Sequence, residues 1–192
     1  MFLSRCFCRA AVSSLSCLFV ITVIPAAASA QTASPLHRGY YTAPAIHGDT
    51  VVFTSEGDLW TVGAQGGEAH RLTSDPGVET DARISPDGHT VAFSGDSEGP
   101  REVYTMPIGG GLPQRRTWDG DARAVGWTPD GKLMDSTARY STLPGTEIVT
   151  IDNQGDRNLI PLAEAAEAVY TPNGKTLFFT RWYSQPSHTK RY

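Results

Sequence analysis

The pentapeptide Gly95-Asp96-Ser97-Glu98-Gly99 has the G-x-S-x-G spacing that surrounds a serine nucleophile in acyl-transfer enzymes. That chemistry requires a strand that turns sharply into a helix and exposes the serine hydroxyl to a histidine base. Here the flanking residues instead predict a loop between two β-strands, at the place that Ser55-Glu56-Gly57 occupies earlier in the chain. We therefore interpret Ser97 as a loop residue and assign no catalytic residue to this chain.

The histidines and aspartates show no spacing typical of metal ligands. The histidines are scattered along the chain: His37, His47, His70, His89 and His188. The aspartates nearest to one another do not follow a calcium-loop pattern and are predicted to be solvated acids of turns: Asp119, Asp121, Asp130, Asp152 and Asp156. All three cysteines precede residue 18, within the segment that is interpreted below as a cleaved signal peptide. The sequence therefore predicts no metal site and no other cofactor.

One turn motif recurs at a constant interval and organises the chain. The residues Ile84-Ser85-Pro86-Asp87-Gly88 return as Trp127-Thr128-Pro129-Asp130-Gly131 and as Tyr170-Thr171-Pro172-Asn173-Gly174, and each copy starts 43 residues after the previous one. Proline presets φ at the second turn position, Asp or Asn supports the bend, and glycine adopts the positive φ. A period of about 43 residues is typical of four-stranded propeller blades.

The apolar runs around these turns predict an all-β fold, with about four antiparallel strands in each repeat. We predict a partial β-propeller of about three and a half blades, at residues 40–77, 78–120, 121–165 and 166–192, the last one truncated. Residues 162–167 have a helical composition and are predicted to form a turn between blades. Four aromatic residues that recur at about the blade period are predicted to pack between blades: Trp60, Tyr104, Trp127 and Tyr170.

An open array of blades leaves apolar faces and strand edges uncovered. The last predicted sheet would expose Phe178 and Phe179. We therefore expect the chain to be a fragment of a longer protein, and we expect the isolated chain to be poorly soluble or to associate through its open edge.

Residues 1–30 have the organisation of a signal peptide. Arg5 and Arg9 precede a mostly apolar run over residues 10–24, and Ala28-Ser29-Ala30 forms a cleavage site before Gln31. The alternative is an uncleaved anchor, but the run is shorter than the ~20 residues of a spanning helix. We expect export to the periplasm or the exterior, no membrane span after cleavage, and a linker over residues 31–39.

Charge excludes one class of partner. The formal net charge is −4, and it becomes −6 when the two arginines of the leader are removed. Proteins that bind nucleic acid neutralise phosphates with clustered Lys and Arg. The sequence therefore predicts no nucleic-acid partner.

Two stretches resemble tricorn protease and its secreted bacterial homologues. Residues 45–53, followed by Gly57-Asp58-Leu59-Trp60, resemble the start of their N-terminal propeller, and residues 187–192 resemble a segment of its fourth blade. The similarity covers roughly residues 40–192. It implies a six-bladed propeller at the front of a large, oligomeric serine peptidase that degrades oligopeptides. The family's catalytic Ser and His lie in later domains that this sequence lacks, so the resemblance implies a substrate-access or gating role without activity of its own.

The resemblance also implies a binding residue for the C-terminal carboxylate of the peptide. The family places two adjacent arginines just before the first strand of the third blade, and guanidinium groups suit a carboxylate. Here residues 118–123 contain only Arg123, whereas the pair Arg115-Arg116 falls on the last strand of the preceding blade. Arg123 is the candidate substrate-binding residue. The alternative function is that of a TolB-like propeller, a periplasmic module that binds a protein partner, because such propellers carry similar Pro-Asp-Gly hairpins.

Overall fold

A computed structural model describes residues 39–181, all within a unit of residues 38–192. The predicted signal peptide and most of the predicted linker lie outside the described residues, as do His37, His188 and residues 187–192. Fourteen β-strands and no helix occur between residues 39 and 181. The all-β prediction is confirmed. In this part of the chain, accordingly, no helix is long and apolar enough to cross a membrane.

The strands form three four-stranded antiparallel sheets and one two-stranded sheet. The first sheet contains β1 (Tyr41–His47), β2 (Thr50–Ser55), β3 (Asp58–Gly63) and β4 (His70–Arg71). The second contains β5 (Thr80–Ile84), β6 (Thr90–Gly95), β7 (Glu102–Pro107) and β8 (Gln114–Arg115). The third contains β9 (Ala122–Trp127), β10 (Leu133–Thr137), β11 (Glu147–Ile151) and β12 (Arg157–Leu159). The fourth pairs β13 (Ala165–Tyr170) with β14 (Leu177–Arg181).

The sheets follow one another as propeller blades do. Each sheet is a meander in which the strands pair in chain order. The first strands of successive sheets lie side by side, since β1 contacts β5, β5 contacts β9 and β9 contacts β13. The described sheets do not close a ring, so the structure confirms a partial propeller.

The repeated turn motif forms the same hairpin in all three copies. Gly88, Gly131 and Gly174 have φ values of +74°, +81° and +70°. Their backbone N–H groups donate to the carbonyl three residues earlier, at 2.9, 2.9 and 2.8 Å. Only glycine adopts this left-handed conformation without strain. The turn that the sequence predicts is therefore confirmed.

Three apolar clusters lie between neighbouring sheets. Val52 and Leu59 of the first sheet pack with residues of the second, such as Phe93. A second cluster joins sheets two and three, and a third cluster joins Met134 and its neighbours to the fourth sheet. Each fully buried Leu or Met side chain contributes about 1.5–3 kcal/mol. The sheets are thus held together face to face.

A polar clasp fixes the very short fourth strands. Thr73 and Thr117, which are 44 residues apart, each accept a hydrogen bond on Oγ1 from the third strand of their own sheet, at 2.9 and 2.8 Å. Arg71 and Arg115 donate to the carbonyls of these threonines at 2.8 Å, and each pairs with the acid that begins the third strand. These side-chain contacts therefore extend a short backbone ladder, which pairs only two residues of each fourth strand with the third strand.

The segment with helical composition is not entirely a turn. Strand β13 begins at Ala165 and runs through Glu167, so half of the predicted turn belongs to the fourth sheet. Ala165 and Ala168 pack against Met134 and Ile148 of the third sheet. Burial between sheets overrides the helical preference of alanine at these positions.

Candidate functional site

Ser97 lies in a turn between two strands. It follows β6 and precedes β7 without an intervening helix. The Asp96 carboxylate accepts a hydrogen bond from Val78 N at 2.7 Å, and Gly99 N donates to Asp96 O at 3.2 Å. No histidine between residues 39 and 181 forms a hydrogen bond with Ser97. This geometry lacks the strand-to-helix turn and the base that a serine nucleophile needs.

The described histidines belong to different elements of the fold, although the His47 ring lies beside Gly88, the residue before His89. His47 ends β1, His70 begins β4, and His89 belongs to the turn between β5 and β6. Within residues 39–181 there is no group of three or more His, Cys, Asp or Glu side chains that could hold a metal ion.

Asp119 is buried, which makes the prediction of a solvated turn acid wrong for this residue. Its side chain is 3% exposed and accepts two hydrogen bonds from Arg157, both at 2.7 Å. Arg157 also donates to Asp135 at 3.0 Å, and its guanidinium lies 5.1 Å from the ring centre of Tyr140. Burial raises the pKa of Asp135 to about 7, against the opposing attraction of Arg157. The Arg157 cluster, meaning Arg157 with Asp119 and Asp135, is thus a tight internal ion-pair network that ties the third sheet to the preceding connection.

Three of the four recurring aromatic residues pack between sheets, as the sequence predicts. Tyr104 belongs to the first cluster, Trp127 packs on the second and Tyr170 packs on the third. Trp60 is half-buried and donates to Ser55 O at 3.2 Å. It lies in the first sheet, where no preceding sheet covers it within the described residues.

Arg123 lies near the start of β9, at the end opposite the Thr-Pro-Asp-Gly turn. It pairs in the ladder with Ser136 and its side chain is exposed. A cavity of about 550 Å³ opens beside it between the third and fourth sheets. We call this cavity the Arg123 groove, and its lining is Arg123, Ser136, Gly145, Thr146, Ala166, Glu167, Thr180 and Arg181.

The charges of the Arg123 groove favour an anion. Arg123 and Arg181 contribute two guanidinium groups, whereas Glu167 contributes one carboxylate. The side chain of Arg123 has no hydrogen-bond or ion-pair partner among residues 39–181. The Arg181 guanidinium lies 5.5 Å from the Phe179 ring centre. A guanidinium without a carboxylate partner can bind a ligand carboxylate through two hydrogen bonds.

The adjacent pair Arg115 and Arg116 is already engaged. Arg115 forms ion pairs with Glu98 and Glu102, and Arg116 donates to Asp152 O at 2.9 Å. Neither guanidinium is therefore available to a ligand in the way that Arg123 is. Sequence reasoning missed Arg181, because only the packing of the fourth sheet on the third brings it to this groove.

Two other cavities flank the sheet interfaces. A polar cavity of about 650 Å³ lies between sheets two and three, beside the repeated turns at Asp87 and Asp130. A more apolar cavity of about 440 Å³ lies beside the first strands and extends to Val169 and Phe178. Within residues 39–181, the arginines that line these two cavities, Arg83 and Arg116, both donate hydrogen bonds to backbone carbonyls, unlike the side chain of Arg123.

Successive four-stranded meanders whose first strands lie side by side define a β-propeller domain. In this chain a charged groove lies between two of the sheets. The chain belongs to the family of the tricorn protease N-terminal β-propeller domain, whose model matches residues 38–192. The predicted family resemblance is confirmed.

Two relatives differ greatly in length. Tricorn protease homolog 1 of Streptomyces coelicolor is 39% identical over 102 residues, which make up 52% of this chain and 10% of the relative. A protein of Sulfurisphaera tokodaii, whose name describes the N-terminal subunit of a tricorn-like protease, is 28% identical over 163 residues. That match covers 81% of this chain and 82% of the relative. The chain thus spans about a tenth of the first relative and most of the second.

Solved structures support the same fold. The crystal structure of the tricorn protease superposes with a TM-score of 0.60 at 25% identity, over 70% of this chain and 14% of that chain. TolB from Acinetobacter baumannii superposes with a TM-score of 0.66 at 21% identity, over 77% of this chain and 39% of that chain. The second likeness concerns the fold alone.

Proposed function

We propose that this chain is the substrate-access propeller of a tricorn-like serine peptidase, and that it binds oligopeptides without cleaving them. The observation that carries the proposal is the family match over residues 38–192, together with a relative of similar extent that is named as an N-terminal subunit. The same module thus accompanies both long proteases and a short polypeptide. We assign the hydrolytic chemistry to domains outside this chain, in an oligomeric parent enzyme.

The Arg123 groove supplies the recognition chemistry of this proposal. A peptide with a free C-terminus carries a carboxylate that Arg123 binds in a bidentate manner, and Arg181 adds a second positive charge. The hydroxyl of Thr146 already donates to Ala165 O at 2.9 Å, which fixes that wall of the groove. Glu167 at the same groove repels peptides with acidic C-terminal side chains. The groove therefore favours a neutral or basic side chain next to the terminal carboxylate.

Binding of labelled hexapeptides tests this role by fluorescence anisotropy. A peptide with a free carboxylate binds more tightly than its C-terminal amide, and Arg123→Gln removes the difference. A hydrogen bond to a charged group contributes about 1.5–3 kcal/mol, so the expected loss in affinity is about 10- to 100-fold. The matched control is Lys175→Gln, which removes the same charge at the opposite end of the sheets, in the turn between β13 and β14. Equal binding of acid and amide peptides would sink the proposal.

A peptidase assay on the same chain tests the absence of catalysis. Incubation with oligopeptides of several lengths leaves them intact, whereas a longer protein that includes the downstream protease domains cleaves them. Cleavage by the chain itself, lost in Ser97→Ala, would show that Ser97 is a nucleophile after all.

We further propose that the chain acts outside the cytoplasm. The support is the charge and hydropathy pattern of residues 1–30, ending in Ala28-Ser29-Ala30. Expression in a bacterial host with fractionation, followed by N-terminal sequencing, tests this assignment. A mature chain in the periplasm that starts at Gln31 supports it, and a cytoplasmic chain that retains Met1 overturns it.

A TolB-like binding module is the second candidate. The observation in its favour is a 54-residue match, at 33% identity, to the TolB protein of Bordetella pertussis. The polar cavity beside the repeated turns is the surface that such a module would offer to a protein partner. Substitutions there, such as Asp87→Ala, would weaken partner capture and leave peptide binding unchanged.

A further inference from the structure

The polar cavity between the second and third sheets presents polar groups that the fold leaves without a partner. We call it the Asp87 cleft; it has a volume of about 650 Å³ and lies beside the repeated turns that contain Asp87 and Asp130. Both sheets are four-stranded, and every residue that lines the cleft lies within residues 85–153. Sites for small ligands and side chains typically have volumes of about 300–1,000 Å³.

The turn does not require the negative charge of Asp87. Oδ1 of Asp87 accepts hydrogen bonds from the Ser85 hydroxyl at 2.5 Å and from His89 N at 3.0 Å. In the third copy of the turn, Oδ1 of Asn173 accepts the same two kinds of hydrogen bond, at 2.6 and 3.0 Å. A neutral amide therefore serves this turn as well as a carboxylate does.

The carboxylate of Asp87 is held in place but is not neutralised. The hydrogen bond from the Ser85 hydroxyl, with that from His89 N, lowers the pKa of Asp87, so this group is ionised at neutral pH. Its second oxygen, Oδ2, has no hydrogen-bond partner among residues 39–181, and the side chain forms no ion pair there. A fixed negative charge at the cleft is thus free to bind a ligand.

A second unpartnered group lies deeper in the same cleft. Thr105 belongs to β7 and shares a face of the strand with Val103, which packs on the third sheet. Thr105 is only 8% exposed, and its hydroxyl makes no hydrogen bond within the described part of the chain. Because a buried hydroxyl without a partner costs free energy, this group indicates a ligand that donates a hydrogen bond to it.

The apolar part of the cleft suits the stem of a long side chain. The ring of Trp127 lines the cleft and is fixed by the hydrogen bond from Nε1 to Arg83 O at 2.9 Å. Pro86, Pro107 and Pro129 line it as well. The aliphatic stems of arginine and lysine pack on such surfaces, and an indole ring attracts their charged heads.

The charges of the Asp87 cleft favour a cation. Two carboxylates, those of Asp87 and Asp130, stand against one guanidinium in the lining. That guanidinium belongs to Arg116 and donates to Asp152 O at 2.9 Å. Asp130 pairs with Lys132 at 3.3 Å, whereas Asp87 has no cationic partner within residues 39–181. A ligand anion would therefore meet a net negative charge, and a ligand cation is attracted.

We propose that the Asp87 cleft binds a basic side chain, arginine or lysine, of a partner polypeptide. The charged head pairs with the Asp87 carboxylate, the stem packs against Trp127, and an N–H of the bound segment donates to the Thr105 hydroxyl. This site lies at the end of the sheets opposite to the Arg123 groove. The proposal goes beyond the binding of a peptide C-terminus and does not depend on it.

Fluorescence anisotropy with the full purified chain tests this site. The probe is a labelled pentapeptide of glycine with a central arginine, blocked at both ends, and its reference contains citrulline, the neutral isostere, instead. The arginine peptide binds at least about 10-fold more tightly, and Asp87→Asn removes this difference. The turn tolerates this substitution, as Asn173 shows. Asp49→Asn is the matched control: it removes the same charge from the exposed turn between β1 and β2, outside the cleft, and leaves the difference intact.

Thr105→Val provides a second, independent variant. It removes the hydroxyl without breaking any hydrogen bond between described residues, and it weakens binding of the arginine peptide about 3- to 10-fold. Because the probe has no free carboxylate, its failure to bind leaves the proposal for the Arg123 groove untouched. Equal binding of the arginine and citrulline peptides, or unchanged binding in a folded Asp87→Asn chain, would overturn the proposal. Tighter binding of spermidine than of the arginine peptide would also overturn it, in favour of a polyamine site.

Discussion

Replacing Arg157 with methionine removes the cation that faces two buried carboxylates. Arg157 donates twice to Asp119 at 2.7 Å and once to Asp135 at 3.0 Å. Asp135 is fully buried and Asp119 has a side-chain exposure of only 3%. Methionine retains part of the side-chain volume but leaves both acids without their principal partner. We expect this variant to lose more stability than any substitution of an exposed arginine.

The magnitude follows from the cost of an uncompensated buried charge. Removing one partner of a buried ion pair destabilises proteins by about 3–5 kcal/mol. Arg139 Nε lies 3.8 Å from Asp119 and continues to compensate part of its charge. The expected loss in the free energy of unfolding is therefore about 3 kcal/mol at about pH 8, the lower end of that range.

The stability lost in Arg157→Met becomes smaller as the pH falls. Burial raises the pKa of Asp135 to about 7 in the folded wild type, and loss of Arg157 raises this pKa further. In the variant Asp135 is therefore protonated below neutral pH, and a neutral carboxyl group has little need of a cation. The loss of stability caused by Arg157→Met shrinks between about pH 8 and about pH 5.5.

Urea unfolding followed by tryptophan fluorescence measures these free energies. Arg123→Met is the matched control, because Arg123 is exposed and has no ion-pair partner among the described residues. It should change stability by less than about 0.5 kcal/mol. If Arg157→Met costs no more than this control at about pH 8, or if its cost grows as the pH falls, the buried ion-pair account is wrong.

Three further substitutions test the packing, the turns and the other buried acid. Met134→Ala removes a fully buried side chain between the third and fourth sheets and should cost about 2–5 kcal/mol in urea unfolding. In Gly131→Ala the added Cβ lies more than 4 Å from the nearest atoms outside its chain neighbours, so the substitution should cost only the left-handed strain of about 1–2 kcal/mol. In Gly174→Ala the added Cβ also lies 2.9 Å from Pro129, so this substitution should cost more. Burial raises the pKa of Glu79 from 4.5 to about 7, so this group lowers stability as the pH rises through that interval. In Glu79→Gln the free energy of unfolding should therefore depend less on pH. An unchanged dependence on pH would refute the raised pKa of Glu79.

The repeat and the hairpins are predictable because both depend on local chemistry. Pro-Asp-Gly specifies its turn within five residues, and the 43-residue period shows that the turn recurs in equivalent modules. The short fourth strands are not predictable in the same way. Their ends are held by side chains such as Thr73 and Thr117, whose partners lie 14 residues away in the neighbouring strand.

The candidate site was only partly visible in the sequence. Arg123 was indicated by the resemblance to a family, whereas Arg181 is 58 residues further along and joins the groove through sheet packing. The sequence around Asp119 predicts a solvated turn acid, because the residue that pairs with it, Arg157, is 38 residues away. Long-range pairing of this kind leaves no local pattern, so a charged residue in a turn cannot be assigned to solvent from its neighbours alone.

Photo-crosslinking tests most directly whether the Arg123 groove binds the C-terminus of a peptide. An oligopeptide with a free C-terminus and a photoreactive side chain at its penultimate position is irradiated with the purified chain, and the adducts are located by mass spectrometry. If Arg123 binds the terminal carboxylate, adducts form with the walls of the Arg123 groove, such as Ser136 and Thr146, and they are lost in Arg123→Gln. Adducts at the turns near Asp87 and Asp130 that persist in Arg123→Gln would contradict it and favour a protein-binding module.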